Sequence, residues 1–340
     1  MKIYEDYPLK NLNTLGVNAK ASLLAEITNE EQLIEIICDN SYNNMNKMVL
    51  GGGSNVLFVD DFQGLILKMD IKDISVIKKD NENVWVKAGA GVLWHDLVIY
   101  CVQHNYAGVE NLSFIPGTVG AAPLQNIGAY GVEIKDVFDS LEAIDLKTGE
   151  KKLFRKEDCK FGYRDSVFKH ELKGRYVITS VVLRLNKKPV FNLSYGTLQS
   201  TLEEMGYDNN NITIKAVSDA VIKIRKSKLP DPDKIGNAGS FFKNPEILKS
   251  RFEKLKLKYK SIPGYPVDTH KMKVPAGWLI QQCGWKGKAV GNTGTYKNQA
   301  LVLVNHGGAS GREIFNLSSE IRKSVKDKFD ITLEREVNVV

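Results

Sequence analysis

The residues best able to do chemistry lie in two glycine-rich stretches and three short polar segments of a 340-residue chain. Residues 51–58 read GGGSNVLF, and residues 108–131 read GVENLSFIPGTVGAAPLQNIGAYG. Consecutive small residues let a ligand approach the backbone closely, and several N–H groups aimed at one point can hold a diphosphate. Neither stretch is a standard nucleotide loop. A dinucleotide GxGxxG turn opens a helix, whereas here Val56 stands where the last glycine would, and VLFVDD continues as a β-like run. No GK[ST] follows, which excludes a Walker loop. What remains is a strand, a glycine loop and a strand, with a plain hairpin as the alternative. Between Glu110 and Glu133 the second stretch has no charged side chain, and it contains Pro116 and Pro123, which no helix interior tolerates. It reads as a buried loop whose backbone groups need partners, supplied either by a ligand or by a meander of its own hydrogen bonds.

Arg164 lies in CKFGYRDSVFK, flanked by Tyr163 and Phe168, and could meet a carboxylate or phosphate or simply pair with Asp165. Ser240 follows a glycine turn in GNAGSFFKNP; the pattern is not GxSxG and no histidine stands nearby in sequence, so a nucleophile elbow does not fit. A turn serine bonded to its own backbone is the local alternative. In the terminal ITLEREVNVV, read as a strand, Ile331, Leu333, Val337 and Val339 fall on one face and Thr332, Glu334, Glu336 and Asn338 on the other. Periodicity leaves open whether those acids face solvent or a cleft. His95 and His104 are nine residues apart, which is no ligand spacing, and read as structural. Cys38, Cys101, Cys159 and Cys283 form no CxxC pair and read as four small buried thiols, with neither a disulfide framework nor a metal site.

The elements that must position these groups follow an α+β pattern. Thr28 and Glu31 predict a capping box ahead of a helix bearing Leu33, Ile36 and Ile37, leading to a strand at 48–50. Val84, Val86 and Ala88 alternate as a strand closed by Gly89-Ala90-Gly91, and Leu93, Leu97 and Cys101 with Trp94, Val98 and Val102 recur at helical spacing. Runs at 140–145 and 176–185 read as strands. Residues 246–260 read as an amphipathic helix with a solvated lysine face, 261–270 as an ordered or hinged surface loop, 276–283 as a short helix and 298–305 as a buried strand. Ser310 and Glu313 predict a cap for a last helix whose apolar face is Ile314, Leu317, Ile321 and Val325.

Composition narrows the class without naming a function. Apolar residues make up 43% and charged residues 26%, ordinary for a soluble globular protein of two or three domains. Lys and Arg number 47 against 40 Asp and Glu, a net +7 that suits anionic partners such as phosphorylated metabolites or nucleic acid. The aromatics of 246–260 do not form a platform for stacking bases, which speaks against nucleic acid. MKIYEDYPLK has no apolar signal-peptide core and no run is long enough to span a membrane, so a cytoplasmic protein without a membrane partner is expected.

GGGSNVLF, IPGTVGAAPLQNIGAYG, FGYRDSVFK, GNAGSFFKNP, AGWLIQQCG, NQALVLVN and LEREV occur in one order over nearly the whole chain. Together they closely resemble the UDP-N-acetylenolpyruvoylglucosamine reductase family, flavoprotein oxidoreductases that complete UDP-N-acetylmuramate for peptidoglycan and so serve cell-wall building, cell shape, the cell cycle and division. The resemblance implies an α+β fold with an FAD-binding part of the vanillyl-alcohol-oxidase/PCMH type in two subdomains, 1–70 and 71–222. A C-terminal α+β substrate domain over 223–330 would close over the sugar nucleotide, and a terminal strand over 331–340 would carry a catalytic Glu. It implies non-covalent FAD and ping-pong chemistry: NADPH gives a hydride to flavin N5 and leaves, then UDP-N-acetylglucosamine enolpyruvate takes that hydride at C3.

By the same resemblance Arg164 and Glu336 would meet the substrate carboxylate, Glu336 protonated or sharing a proton, and Ser240 would give a proton to C2. Gly51, Gly52, Gly53, Ser54, Asn55 and Val56 with Ile115, Pro116, Gly117, Thr118, Gly120 and Gly128 would hold the cofactor. Tyr130, Tyr195, Lys228, Asn244, Tyr265 and Gln299 would bind substrate, Lys228 assisting the proton step or holding phosphate. Tyr265 in its proline-rich loop points to the family type with a closing tyrosine loop. Ala121-Ala122 stand where some members have serines, so contacts there should come from backbone. A monomer is expected. The rival within the flavin fold is a sugar or alcohol oxidase, for which no histidine or cysteine is placed to bind flavin covalently; the rival outside it is a non-enzymatic nucleotide or nucleic-acid binder.

Overall fold

Tyr176–Asn186 is an eleven-residue strand buried without a break over residues 177–183, as expected of the middle of a sheet covered on both faces. In the computed structural model, which describes residues 1–208 and 210–340, it pairs antiparallel with Phe138–Asp145 on one side and Asn83–Gly89 on the other. Lys151–Arg155 and Ile74–Lys79 complete five antiparallel strands. The helix Trp94–Gln103 buries Trp94, Leu97, Val98, Cys101 and Val102 in the same core, the face read from its spacing. The Trp94 indole donates to Leu112 O at 3.0 Å, so the largest buried side chain keeps its polar group satisfied. A second sheet orders Ile3–Pro8, Lys20–Ile27, Phe62–Met69 and Lys47–Leu50, the last two strands parallel.

The chain divides into two compact units. Unit 1 comprises Met1–Tyr7, Ala21–Gly52 and Gln63–Lys226, and unit 2 comprises Pro8–Lys20, Gly53–Phe62 and Ser227–Val340. Unit 2 has its own antiparallel sheet, Gly236–Ser240, Val302–Asn305, Thr293–Thr295 and Ala289–Val290. Against its core lies the helix Gly311–Phe329, capped by Ser310 and Glu313 in the expected reciprocal box, with Ile314, Leu317, Ile321 and Val325 buried. Gly311 is required there: a Cβ would stand 1.8 Å from Phe58 O.

Several local expectations shift. The first helix, Glu30–Cys38, is capped by Asn29, whose side chain accepts from Gln32 N–H, not by Thr28; Gln32 reaches back to the Thr28 N–H. Two competent caps adjoin, and the one with glutamine three residues on wins. Glu246–Leu248 is a strand paired with Lys271–Lys273, so the lysine-rich helix starts only at Lys249 and runs to Lys258. The loop at 261–270 includes the short strand Tyr265–Pro266, also paired with Lys271–Lys273. The strand expected over 298–305 is regular only at Val302–Asn305. Residues 51–58 form no hairpin: Lys47–Leu50 runs parallel to Phe62–Met69, and Val56–Leu57 runs parallel to Asn338–Val339. In the terminal segment Ile331, Leu333 and Val337 are buried, but Val339 is exposed and only Asn338–Val339 is regular strand. Of the four thiols, Cys101 and Cys159 are buried, Cys283 is half-buried and Cys38 is exposed. Burial pushes Cys101 and Cys159 up to about 12, so both are inert thiols.

Candidate active site

In unit 1 the loop forms a meander with hydrogen bonds to the segments around it. Its short turns, Glu110–Leu112, Val119–Ala121 and Pro123–Gln125, are sewn to the end of the Asn83–Gly89 strand and the start of the Trp94–Gln103 helix. Val119 N–H donates to Val92 O (2.9 Å), Gly120 N–H to Ala90 O (3.0 Å) and Trp94 N–H to Gly117 O (3.0 Å). Gly51 and Gly52 lie against it. A Cβ on Gly51 would stand 2.3 Å from Thr118 Oγ1, and one on Gly52 would stand 3.0 Å from Gly117 Cα. Thr118 Oγ1 is buried and has no hydrogen-bond partner among the described residues, an uncommon cost that a ligand oxygen at this seam would remove. Beside the seam opens a cavity of ≈ 430 Å³ lined by Gly52, Thr118, Gly91, Lys68, Asp70 and Asp96, among others. Burial lowers the Lys68 ammonium from its ordinary range, with Asp70 opposing. A diphosphate-bearing cofactor fits this cradle, since glycines, an orphaned hydroxyl and a lysine converge on one cavity.

The same unit gathers Arg164, Gly128, Tyr130 and Tyr195. Arg164 has φ 51° in a tight turn bridged by Gly162 and Asp165, and its Nη2 donates to Gly128 O at 2.7 Å. The Asp165 carboxylate is engaged by His170 at 2.8 Å. Tyr130 and Tyr195 meet edge to face with centroids 5.6 Å apart. Burial raises the Tyr130 phenol, with the Arg225 cation opposing. Arg225 was missed by sequence reasoning. It follows Val217, Val221 and Ile224 on the buried stripe of the helix Ile214–Lys228, and burial lowers its guanidinium, helped by the like charge of Arg164. An arginine where a helical stripe calls for an apolar residue was the signal available. Lys68 and the acids lining the cavity were also missed, for they come from separate segments, Lys68 from a strand, Asp70 from the segment after it and Asp96 from the Trp94–Gln103 helix, which only the fold brings together.

Unit 2 brings Ser240, Asn244, Gln299, Glu336 and Asn55 onto neighbouring segments. Ser240 ends its strand opposite Val302, directly after Gly239 at φ 65°, and among the described residues its hydroxyl makes no hydrogen bond. The backbone-bonded turn serine is therefore not what forms. Phe241 N–H donates to Leu301 O and Glu336 N–H to Phe241 O, each at 2.9 Å, which lays the terminal segment beside residues 241–243. Asn55 Nδ2 donates to Glu336 O at 3.3 Å. Glu334 is exposed beside Lys243, while Glu336 is half-buried: the two acids part company. Asn244 Oδ1 accepts from Ala276 N–H at 2.9 Å, leaving its NH₂ group as the donor. Gln299 lies against Gly277, where a Cβ would stand 2.8 Å from its Oε1. Asn298 Nδ2 donates to Ser227 O at 3.1 Å, next to Lys228, which is exposed. Gly53 at φ 61° faces Leu12 O, Val56 is buried, and Tyr265 is exposed on its short strand. Among the described residues no three His, Cys, Asp or Glu side chains gather as a metal-binding group, and no helix is long and apolar enough to cross a membrane.

Comparison with known proteins accounts for both units. Residues 21–152 match the family model described as an FAD binding domain, and residues 231–340 match that of the UDP-N-acetylenolpyruvoylglucosamine reductase C-terminal domain. The chain is 49% identical to the UDP-N-acetylenolpyruvoylglucosamine reductase of Amoebophilus asiaticus over 340 residues, all of both chains. It is 48% identical to that of Flavobacterium johnsoniae, again over the whole of both. The crystal structure of the reductase from Thermus caldophilus aligns over 99% of this chain and 98% of that one with a TM-score of 0.68 at 24% identity, a likeness of fold. The expected α+β fold with an FAD-binding part and a C-terminal domain is thus found. With relatives this similar along its entire length, the chain belongs to the UDP-N-acetylenolpyruvoylglucosamine reductase family.

Proposed function

We propose that the protein is an NADPH-dependent FAD enzyme that reduces UDP-N-acetylglucosamine enolpyruvate to UDP-N-acetylmuramate for peptidoglycan. The observation that carries this is the end-to-end match to reductases of that name, with both matched domains in order. The oxidase alternative falls to the same finding, because an oxidase would share the flavin-binding part but not residues 231–340. When bound, FAD supplies the two-electron relay from NADPH to the substrate. The two sheets of unit 1 are read as the two FAD-binding subdomains, dividing near residue 70, and the C-terminal part as the substrate domain. A cytoplasmic monomer is expected, checked by light scattering at 38.0 kDa.

Chemistry assigns the remaining roles. Hydride arrival at C3 pushes charge onto C2 and the carboxylate, where a pre-placed cation and a neutral acid lower the barrier. Arg164 and Glu336 take those roles. Ser240, whose hydroxyl has no bond to break among the described residues, gives the proton to C2. The NH₂ group of Asn244, with Gln299, Tyr130, Tyr195 and Lys228, holds the sugar nucleotide.

The test is the visible spectrum of the purified protein without oxygen. NADPH should bleach a flavin band, and only the enolpyruvyl substrate should restore it. If the bleached band ignores that substrate, the proposed activity is wrong. Gly52→Val should weaken FAD binding about a hundredfold, because the branched side chain meets the Gly117 backbone; flavin fluorescence titration measures it, and a normal dissociation constant would remove residue 52 from the cofactor seat. Tyr265→Phe deletes one hydroxyl from an exposed position, so substrate affinity should fall about fivefold while flavin reduction by NADPH is unchanged. Equal effects on both half-reactions would refute the assignment of Tyr265.

A further inference from the structure

We infer that His95 and Arg225 are positioning residues for the cofactor loop: between them they clamp both backbone groups of Phe114, the residue that leads into Ile115–Thr118. This rests on the reading of that loop as part of the FAD seat. Phe114 has φ 60°, a left-handed conformation that a bulky residue adopts only at a cost and keeps only where surroundings impose it. Here the imposition is visible. The Phe114 N–H donates to His95 Nδ1 at 3.0 Å, and the Phe114 C=O accepts from Arg225 Nε at 3.0 Å. The His95 ring meets the Phe114 ring edge to face at 5.5 Å, and the Lys226 ammonium lies 5.4 Å from the centre of the Phe114 ring. His95 also sits one residue after Trp94, whose N–H holds Gly117 O. One helical turn therefore grips the loop at residues 114 and 117, the two ends of the Phe-Ile-Pro-Gly corner whose Gly117 faces Gly52.

The clamp has a protonation requirement. His95 Nδ1 accepts from an N–H, so it must carry no proton, and the neutral ring has its hydrogen on Nε2. The groups facing it keep it neutral. Burial lowers its pKa from 6.5, opposed by Asp96 on its own helix and assisted by the Arg225 and Lys226 cations on the neighbouring helix. The folded value lies below the unfolded one, so the clamp is complete above about pH 6.5 and is lost as pH falls through the folded value. Protonation puts a hydrogen on Nδ1 that confronts the Phe114 N–H, and the loop loses one anchor.

The experiment is FAD titration of the full-length protein by flavin fluorescence at pH 7.5 and 5.5, for the unaltered chain and for His95→Asn, His95→Leu and Gly52→Val. Asparagine places an amide oxygen near the Nδ1 position and does not titrate. His95→Leu should bind FAD about tenfold more weakly at pH 7.5. His95→Asn should bind within about twofold of the unaltered chain at pH 7.5 and lack whatever loss the unaltered chain shows as the pH falls through the folded value of His95. The inference is overturned if His95→Leu matches the unaltered chain at both pH values, or if His95→Asn loses as much as His95→Leu. If Gly52→Val binds FAD normally, the reading of the loop as the cofactor seat has failed and the clamp falls with it; if only the histidine variants are silent, the seat stands and the clamp alone is wrong.

Discussion

Ser240→Ala should leave the reduction of the flavin by NADPH at its normal rate and slow its reoxidation by the enolpyruvyl substrate by roughly 10²–10⁴-fold, the usual worth of a positioned general acid. The reason lies in where the hydroxyl stands. Gly239 turns at φ 65°, Ser240 closes the strand opposite Val302, and the next N–H is tied to Leu301 O at 2.9 Å. The backbone is held on both sides, while the hydroxyl has no bond within the described chain to compete with a substrate. A serine is a weak acid, yet a carbanion beside a carboxylate is basic enough to take its proton. Alanine changes one atom and leaves the strand pairing intact, so stability should move by less than about 1 kcal/mol. Stopped-flow absorbance of the flavin separates the half-reactions. Normal reoxidation in Ser240→Ala would end the proton-donor assignment, and equal slowing of both steps would point to a disturbed cofactor seat.

What could be read from residues alone depended on the range over which each signal acts. The Ser310–Glu313 cap and the stripe Ile314, Leu317, Ile321, Val325 are fixed within one or two turns and emerged as expected. The cap at Asn29 was missed by one residue because Thr28 and Asn29 compete, and only the reach of Gln32 decides between them. Glu246–Leu248 is strand because Lys271–Lys273 pairs with it from more than twenty residues away, which overrides a local helical pattern. The terminal segment alternates well enough to put Ile331, Leu333 and Val337 inside. It could not show that Arg335 would bond Ser318 and Ser319 while Glu336 became half-buried. The site followed the same division. Glycine runs and Ser240 announce themselves by type and order. Arg225, His95 and Lys68 stand where they do only because distant segments pack over them, and nothing within the KIRKSK run itself marks Arg225 out among its lysine neighbours on the helix Ile214–Lys228.

Arg164→Met should cost about 10²–10³-fold in reoxidation by substrate, the range seen when one preorganised group facing a developing charge is removed. Arg164 is held before any substrate arrives: its turn is left-handed, Lys169 Nζ reaches its carbonyl at 3.4 Å, and Nη2 is spent on Gly128 O at 2.7 Å. Arg225 lies close enough for the two like charges to repel, and that repulsion is relieved when a carboxylate binds. Arg164→Lys should not restore the rate, since a single ammonium cannot bond Gly128 O and grip a carboxylate with the planar fork that two bonds require. Glu336→Gln should lose only about tenfold, because an amide still donates a hydrogen bond as a protonated acid would. The order Met worse than Gln, with NADPH oxidation normal in both, is the expected pattern by stopped flow. If Arg164→Met slowed the NADPH step as much as the substrate step, the arginine would be serving the fold of the Gly128 turn, and the cation for the carboxylate would have to be sought at Arg225.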